Sequence, residues 1–220
     1  MLSPRAPSDD HGYGLAYRLA REQLRRADIK QQCANSGAVY RALDTGTLII
    51  VAYLGRTYRV TLPEVRISPK DSDEEVPLKD KILILHYLAR AKGAPLSSRA
   101  ITYKELPEGA GYFPTFAKRA IKPLVDYFGR EPHRLVDVAG TLGGHKADYG
   151  DVAVTIDAFR RVPITLVLWR GDDEFAPQGS IIFDGNIPDY LSTEDINVLC
   201  ETIAWRLARQ LRSGGDSNRH

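Results

Sequence analysis

The chain has 220 residues, of which 43% are hydrophobic, 26% charged and 9% aromatic. That length favours one domain of one or two lobes, and the composition excludes a disordered, collagen-like or disulfide-stapled chain. The 30 Lys plus Arg against 28 Asp plus Glu leave a formal net charge of +2, far from the concentrated basic charge of a nucleic-acid binder, so nucleic acid is not an expected partner.

Residues 1–11 contain no charged leader ahead of an apolar stretch, and Pro4 and Pro7 would interrupt one. We expect a disordered arm there and no secretion signal. Over 13–34, Leu15, Leu19, Ala20, Leu24 and Ala27 fall on one side of a helical period, predicting an amphipathic helix. Its other side collects Arg18, Arg21 and Arg25, expected to be a solvated stripe dispensable for folding. Without interleaved aromatics for stacking, it is a poor nucleic-acid surface. Three β-branched and apolar runs follow at 38–43, 47–53 and 57–62, separated by Gly-containing breaks, which predicts an antiparallel meander.

The acidic segment 71–75 ahead of Pro77 suits a helix N-terminus, and Gly93 a stop. Ile82, Leu83, Ile84, Leu85, Tyr87 and Leu88 make the helix between them apolar on nearly every side, so it should be the central buried helix, with His86 a structural histidine inside the core. The apolar stretch 82–89 is far shorter than the roughly 20 residues that cross a bilayer, and no membrane partner is expected. Cys33 and Cys200 lack any ligand spacing and read as free, buried thiols in a reducing cytoplasm.

A short strand at 101–106 leads through a glycine loop to a helix at 114–128. A helical piece at 132–142 and strands at 151–156, 164–169 and 180–183 come next. Ser192 and Asp195 resemble a capping box, and Ile196, Leu199, Ile203, Leu207 and Leu211 form one stripe, predicting an amphipathic C-terminal helix from 193 to about 212 that packs on the sheet. The expected class is α+β: antiparallel sheets of short strands with four to five packed helices, in a domain over 12–212 followed by a disordered tail, 213–220.

Three loops carry chemistry-bearing residues. At 103–114 a glycine loop enters a helix followed by Lys118 and Arg119, which suits an anion, while Tyr112 and Phe113 offer aromatic surface. At 143–151, His145, Lys146, Asp148 and Asp151 gather between glycines; His145, Asp148 and Asp151 are weak candidates for a metal, although none is expected. At 169–177, Trp169 and Arg170 precede Asp172, Asp173 and Glu174, a composition that suits a cation site or a guanidinium–carboxylate clamp. No nucleophile elbow or Cys/His motif is present.

Several stretches carry a family resemblance: 82–88 with Ala91-Lys92-Gly93, 103–107 through Gly111-Tyr112-Phe113, 161–164, 169–175 and 190–195. Together, over about residues 13–212, the chain resembles an uncharacterised family, a domain of unknown function from anaerobic bacteria and archaea. Some of its members are fused to a four-iron–four-sulfur domain like that of corrinoid and acetyl-CoA-pathway proteins. Two cysteines cannot hold such a cluster, so this chain is expected to have no iron–sulfur cluster of its own. The resemblance implies no activity, only a setting in anaerobic redox, one-carbon or corrinoid metabolism, with an iron–sulfur or corrinoid protein as partner.

The resulting expectation is a cytoplasmic ligand- or partner-binding module whose three loops converge on one cleft. For a corrinoid or other tetrapyrrole, Lys118, Arg119, Lys146 and Arg170 would hold carboxylates, with Tyr112 or Trp169 against the macrocycle. His145 would be the first axial candidate and His86 the second. The alternative is a small metal-assisted or acid–base enzyme using His145 with Asp148, Asp172 or Glu174.

Overall fold

The computed structural model describes residues 8–172 and 174–216. The described chain is α+β and divides into two compact units, the first ending at Gly93 and the second taking over at Ala94, with Ala52–Arg56 counted in the second.

In the first unit, helices α1 (Ser8–Arg26) and α2 (Ile29–Ser36) precede a sheet of β1 (Val39–Leu43), β2 (Gly46–Tyr53), β3 (Arg56–Leu62) and β4 (Arg66–Pro69), in that order. The single helix expected over 13–34 is two, because Asp28 caps α2: its carboxylate accepts the Gln31 N–H at 3.0 Å. A side chain that offers the backbone an alternative partner favours a fresh start over continuation. Strand β4 alternates, with Ile67 and Pro69 buried, Arg66 exposed and Ser68 half-buried, but four residues ending in proline on a sheet edge are too short to signal a strand.

The face of α1 is also rotated from expectation. Ala20 and Leu24 are buried, whereas Leu15 and Leu19 are 50% and 61% exposed. Arg25 Nε donates to the Pro63 carbonyl at 2.9 Å and Arg21 donates to the Glu64 carbonyl. The supposedly solvated stripe therefore fastens α1 to the β3–β4 turn; only Arg18 stays exposed without a role there. Helix α3 (Leu78–Arg90) is the buried helix of this unit, with Ile82, Leu83, Ile84, Leu85, Tyr87 and Leu88 inside. Tyr87 Oη donates to the Ser36 carbonyl at 2.5 Å, tying α3 to the end of α2. His86 is half-buried rather than in the core, because it faces the side that also carries Lys79 and Arg90.

The second unit contains a five-stranded antiparallel sheet in the order β5 (Ala100–Thr102), β9 (Gln178–Asp184), β8 (Val162–Trp169), β7 (Val152–Phe159), β6 (Gly144–Ala147). Its buried rows pair Val154 with Leu166 and Leu166 with Ile181, then Ile156 with Ile164 and Ile164 with Phe183. Against it lies a continuous helical run over 109–128, made of α4 (Gly109–Phe116), a π turn (Ala117–Ile121) and α5 (Lys122–Phe128). The Phe116 ring lies 6.4 Å from that of Phe183. Helix α6 (His133–Ala139) and the long α7 (Thr193–Asp216) complete the layer. Ile196, Leu199, Ile203 and Leu207 of α7 are fully buried, as the stripe predicts.

In the second unit, Leu54 and Gly55 form a turn at φ 46° and 74°. Leu54 N–H donates to the Ala158 carbonyl at 3.0 Å. Only glycine suits position 55, because a Cβ there would lie 2.7 Å from the Gly143 nitrogen. Both ends of the described chain are helical, from Ser8 and to Asp216; the rest of the expected arm and tail lies outside the described residues. Among these residues no helix is long and apolar enough to cross a membrane.

Candidate functional site

The best-formed candidate site is built where β5 turns into α4. Glu105 closes a capping box on Thr102, accepting its N–H at 2.7 Å and its hydroxyl at 3.2 Å. The Thr102 N–H first, with the hydroxyl and Arg99 assisting, holds the Glu105 carboxyl below its usual range. The tight turn so fixed buries Tyr103, whose ring stacks on Phe116 at 3.9 Å between centroids. Glu108 then takes a left-handed conformation at φ 59°, and α4 starts, presenting Tyr112, Thr115 and, beyond the start of the π turn, Arg119. A π turn shifts the side chains after it relative to those before, and such insertions recur at functional sites.

The facing wall is the first turn of α7. Ser192 and Asp195 cap one another, Ser192 N–H donating to the Asp195 carboxylate at 3.1 Å and Asp195 N–H to the Ser192 hydroxyl at 3.2 Å. Thr193 Oγ1 donates to the Pro107 carbonyl at 2.8 Å, and Tyr103 Oη to the Thr193 carbonyl at 3.4 Å. These bonds fix the two walls of a cavity of about 370 Å³, lined by Tyr103, Glu108, Tyr112, Thr115 and Arg119 on one side and Thr193, Glu194 and Asn197 on the other.

The charged side chains of this cavity are exposed and unpaired. Arg119, Glu108 and Glu194 line it together, yet their side chains make no ion pair with one another or with any other described residue. Asn197 Oδ1 is buried without a hydrogen-bond donor. Burial first, then the neighbouring Cys200, Tyr112 and Glu194, pushes the Tyr103 phenol above its usual value.

Of the residues expected from sequence, Tyr112 and Arg119 belong to this cavity. Phe113 is half-buried, with Lys104 Nζ 4.3 Å from its ring centroid, and Lys118 is exposed; neither lines it. Arg170, Asp172 and Glu174 line a different hollow of about 390 Å³ with Gly129 and Arg130. There the Asp172 carboxylate accepts the N–H groups of Phe175 and Glu174 at 2.7 and 2.9 Å, which keep it below its usual range. Asp172 is thus a turn cap, and Asp173 lies outside the described residues.

Lys146 and Asp151 line a third hollow, of about 360 Å³, with His133 and Asp137. The segment expected as a loop at 143–151 is in part strand β6, paired to β7 with His145 opposite Thr155 and Lys146 opposite Val154. Adjacent strand residues point to opposite faces, so His145 and Lys146 cannot serve one site. His145, Asp148 and Trp169 line none of the three hollows. Residues of the three loops thus line three separate hollows. Among the described residues no group of three or more His, Cys, Asp or Glu could hold a metal, and the set of His145, Asp148 and Asp151 does not assemble.

Sequence reasoning missed Tyr103, Glu108, Thr115, Thr193, Glu194 and Asn197. The capping box at 192–195 locates the start of α7 but gives no sign that this turn faces α4.

No curated protein and no solved structure matches the chain. The family model described as "Domain of unknown function (DUF3786)" matches residues 28–206, most of the chain, with both walls of the cavity inside the match. The chain therefore belongs to this family of unknown function.

Proposed function

We propose that the second unit is a binding module for a small polar ligand, seated between α4 and the first turn of α7. One observation carries this reading: charges of both signs line one cavity without pairing, beside the buried acceptor Asn197 Oδ1 that lacks a donor. Buried polar atoms are normally satisfied, and one that is not points to a missing partner. The volume of about 370 Å³ lies toward the small end of the roughly 300–1,000 Å³ typical of ligand pockets.

That size favours a small metabolite over a corrinoid or other tetrapyrrole, and no histidine lines the cavity to serve as an axial ligand. Asp172 and Glu174 line one hollow that neither His145 nor Asp148 lines, which also favours binding over acid–base or metal-assisted catalysis by His145 with these carboxylates. We assign the module to the cytoplasm. Cys33 and Cys200 are free and buried; burial pushes the Cys33 thiol up to about 11 and that of Cys200 up as well, in keeping with inert reduced thiols. An anaerobic redox setting and an iron–sulfur or corrinoid partner rest on the family resemblance, and the absorbance spectrum of anaerobically purified native protein tests them.

The binding reading is tested by amide NMR of the full chain titrated with free amino acids, polyamines and di- and tricarboxylic acids. Saturable shifts confined to 103–119 and 192–197 are expected for at least one of these classes. If none produces a saturable shift there, the reading fails.

A further inference from the structure

We infer that the ligand of this cavity, on the binding reading above, is a small zwitterion carrying both an ammonium and a carboxylate. The inference rests on how the wall divides donors from acceptors. Arg119 is a permanent cation with five N–H donors and no acceptor. Glu108, Glu194 and Asn197 Oδ1 only accept, and the Tyr103 oxygen, whose own proton goes to the Thr193 carbonyl, retains acceptor capacity.

Each simpler ligand leaves part of this set unmet. A neutral molecule gains no ion pair from the three exposed charges. A plain anion pairs with Arg119 and faces two carboxylates; a plain amine pairs with the carboxylates and faces the guanidinium. Like charges brought together are the strongest way a site rejects a wrong partner. A zwitterion meets both: its carboxylate takes the guanidinium in a bidentate pair, and its ammonium donates to the Glu194 and Glu108 carboxylates. The rings of Tyr103 and Tyr112, which also line the cavity, provide an aromatic surface that attracts an ammonium.

The test is calorimetry and amide NMR on the full chain with L-norleucine and L-glutamine, each beside its amide, which lacks the carboxylate, and its N-acetyl form, which lacks the ammonium. At least one free amino acid should bind about tenfold more tightly than both derivatives, the worth of one charge-assisted pair. Arg119→Gln should erase the advantage over the amide and leave that over the N-acetyl form; Glu194→Gln should do the reverse. Both side chains are exposed, so melting temperatures should stay near that of the wild type. If a derivative binds as tightly as its parent, or if only polyamines or polycarboxylates bind, the zwitterion inference is overturned while the binding reading stands. If nothing in either panel binds, both fall.

Discussion

The Asp151 carboxylate accepts a hydrogen bond of 2.8 Å from the backbone N–H of Arg170, nineteen residues along the chain. Asp151 N–H in turn donates to the Leu168 carbonyl at 3.1 Å. Two polar loops that look like rival ligand sites are thus neighbours for a structural reason, one capping the other. Asp151→Ala should lower stability by about 1 kcal/mol, while Asp151→Asn, which keeps an acceptor oxygen, should lose less. Urea unfolding of both variants checks this, and equal losses would remove the cap from the account.

Leu207 is fully buried on the inner face of α7. Leu207→Asp would place an uncompensated carboxylate there, at a cost of at least about 3 kcal/mol once lost packing is added. The variant should unfold at much lower urea or accumulate as insoluble protein. A wild-type melting temperature would contradict the packing of α7.

Arg21 and Arg25 donate to the carbonyls of Pro63 and Glu64, holding the β3–β4 turn against α1. The double variant Arg21→Gln with Arg25→Gln should lose about 1–2 kcal/mol. Arg18→Gln should be silent, because Arg18 is exposed and makes no such bond. A comparable loss from Arg18→Gln would mean that the effect comes from net charge rather than from these bonds.

Where the sequence was legible, periodicity was long enough to speak. The α7 stripe and the broad apolar face of α3 span several turns each and could be placed from residue types alone. The arginines of α1 show the opposite case. A basic stripe on a helix looks the same whether water or backbone carbonyls receive its donors, and Pro63 and Glu64 lie about forty residues away in the chain. The cavity is illegible for the same reason. Tyr112 and Arg119 stand out beside a glycine loop, but Glu194 and Asn197 look like ordinary first-turn residues until α7 is laid beside α4. Strand β6 was hidden because His145 and Lys146 are polar at an edge, where alternation between faces leaves no apolar mark.

Gly109 is the hinge of the candidate site. A Cβ at this position would lie 1.9 Å from the Tyr103 carbonyl oxygen, so any side chain must push the turn and the start of α4 apart. Gly109→Ala should displace Glu108 and Tyr112 and weaken ligand binding more than tenfold, a loss beyond about 1.4 kcal/mol. Gly111→Ala is the control, since a Cβ there meets nothing within 4 Å; it should bind as the wild type does. Equal binding by both variants would show that the cavity does not depend on this turn.

Asp184, at the end of β9, accepts four hydrogen bonds as a cap, and it makes stability depend on pH in a defined direction. Its oxygens accept the Ser97 N–H at 2.9 Å, the Ser97 hydroxyl at 2.8 Å, the Ser98 N–H at 2.9 Å and the Asn186 N–H at 2.9 Å. Burial alone would raise the value of this carboxyl, but the four donors outweigh it and hold it below its usual range. A group whose folded value lies below its unfolded value of about 3.9 stabilises the fold fully above that value, and the contribution is lost as pH falls through the folded value. Between pH 5 and pH 8, by this principle, Asp184 should add no slope; below about pH 4 its contribution should decline. Asp184→Asn offers one acceptor oxygen in place of two and should be less stable at neutral pH by about 1–2 kcal/mol. The difference between wild type and variant should then shrink as the pH is lowered toward 2, because the protonated aspartic acid resembles the amide. Urea midpoints of the two proteins measured across pH 2–7 test this directly, and a gap that stays constant or widens in acid would show that the cap does not act through its charge.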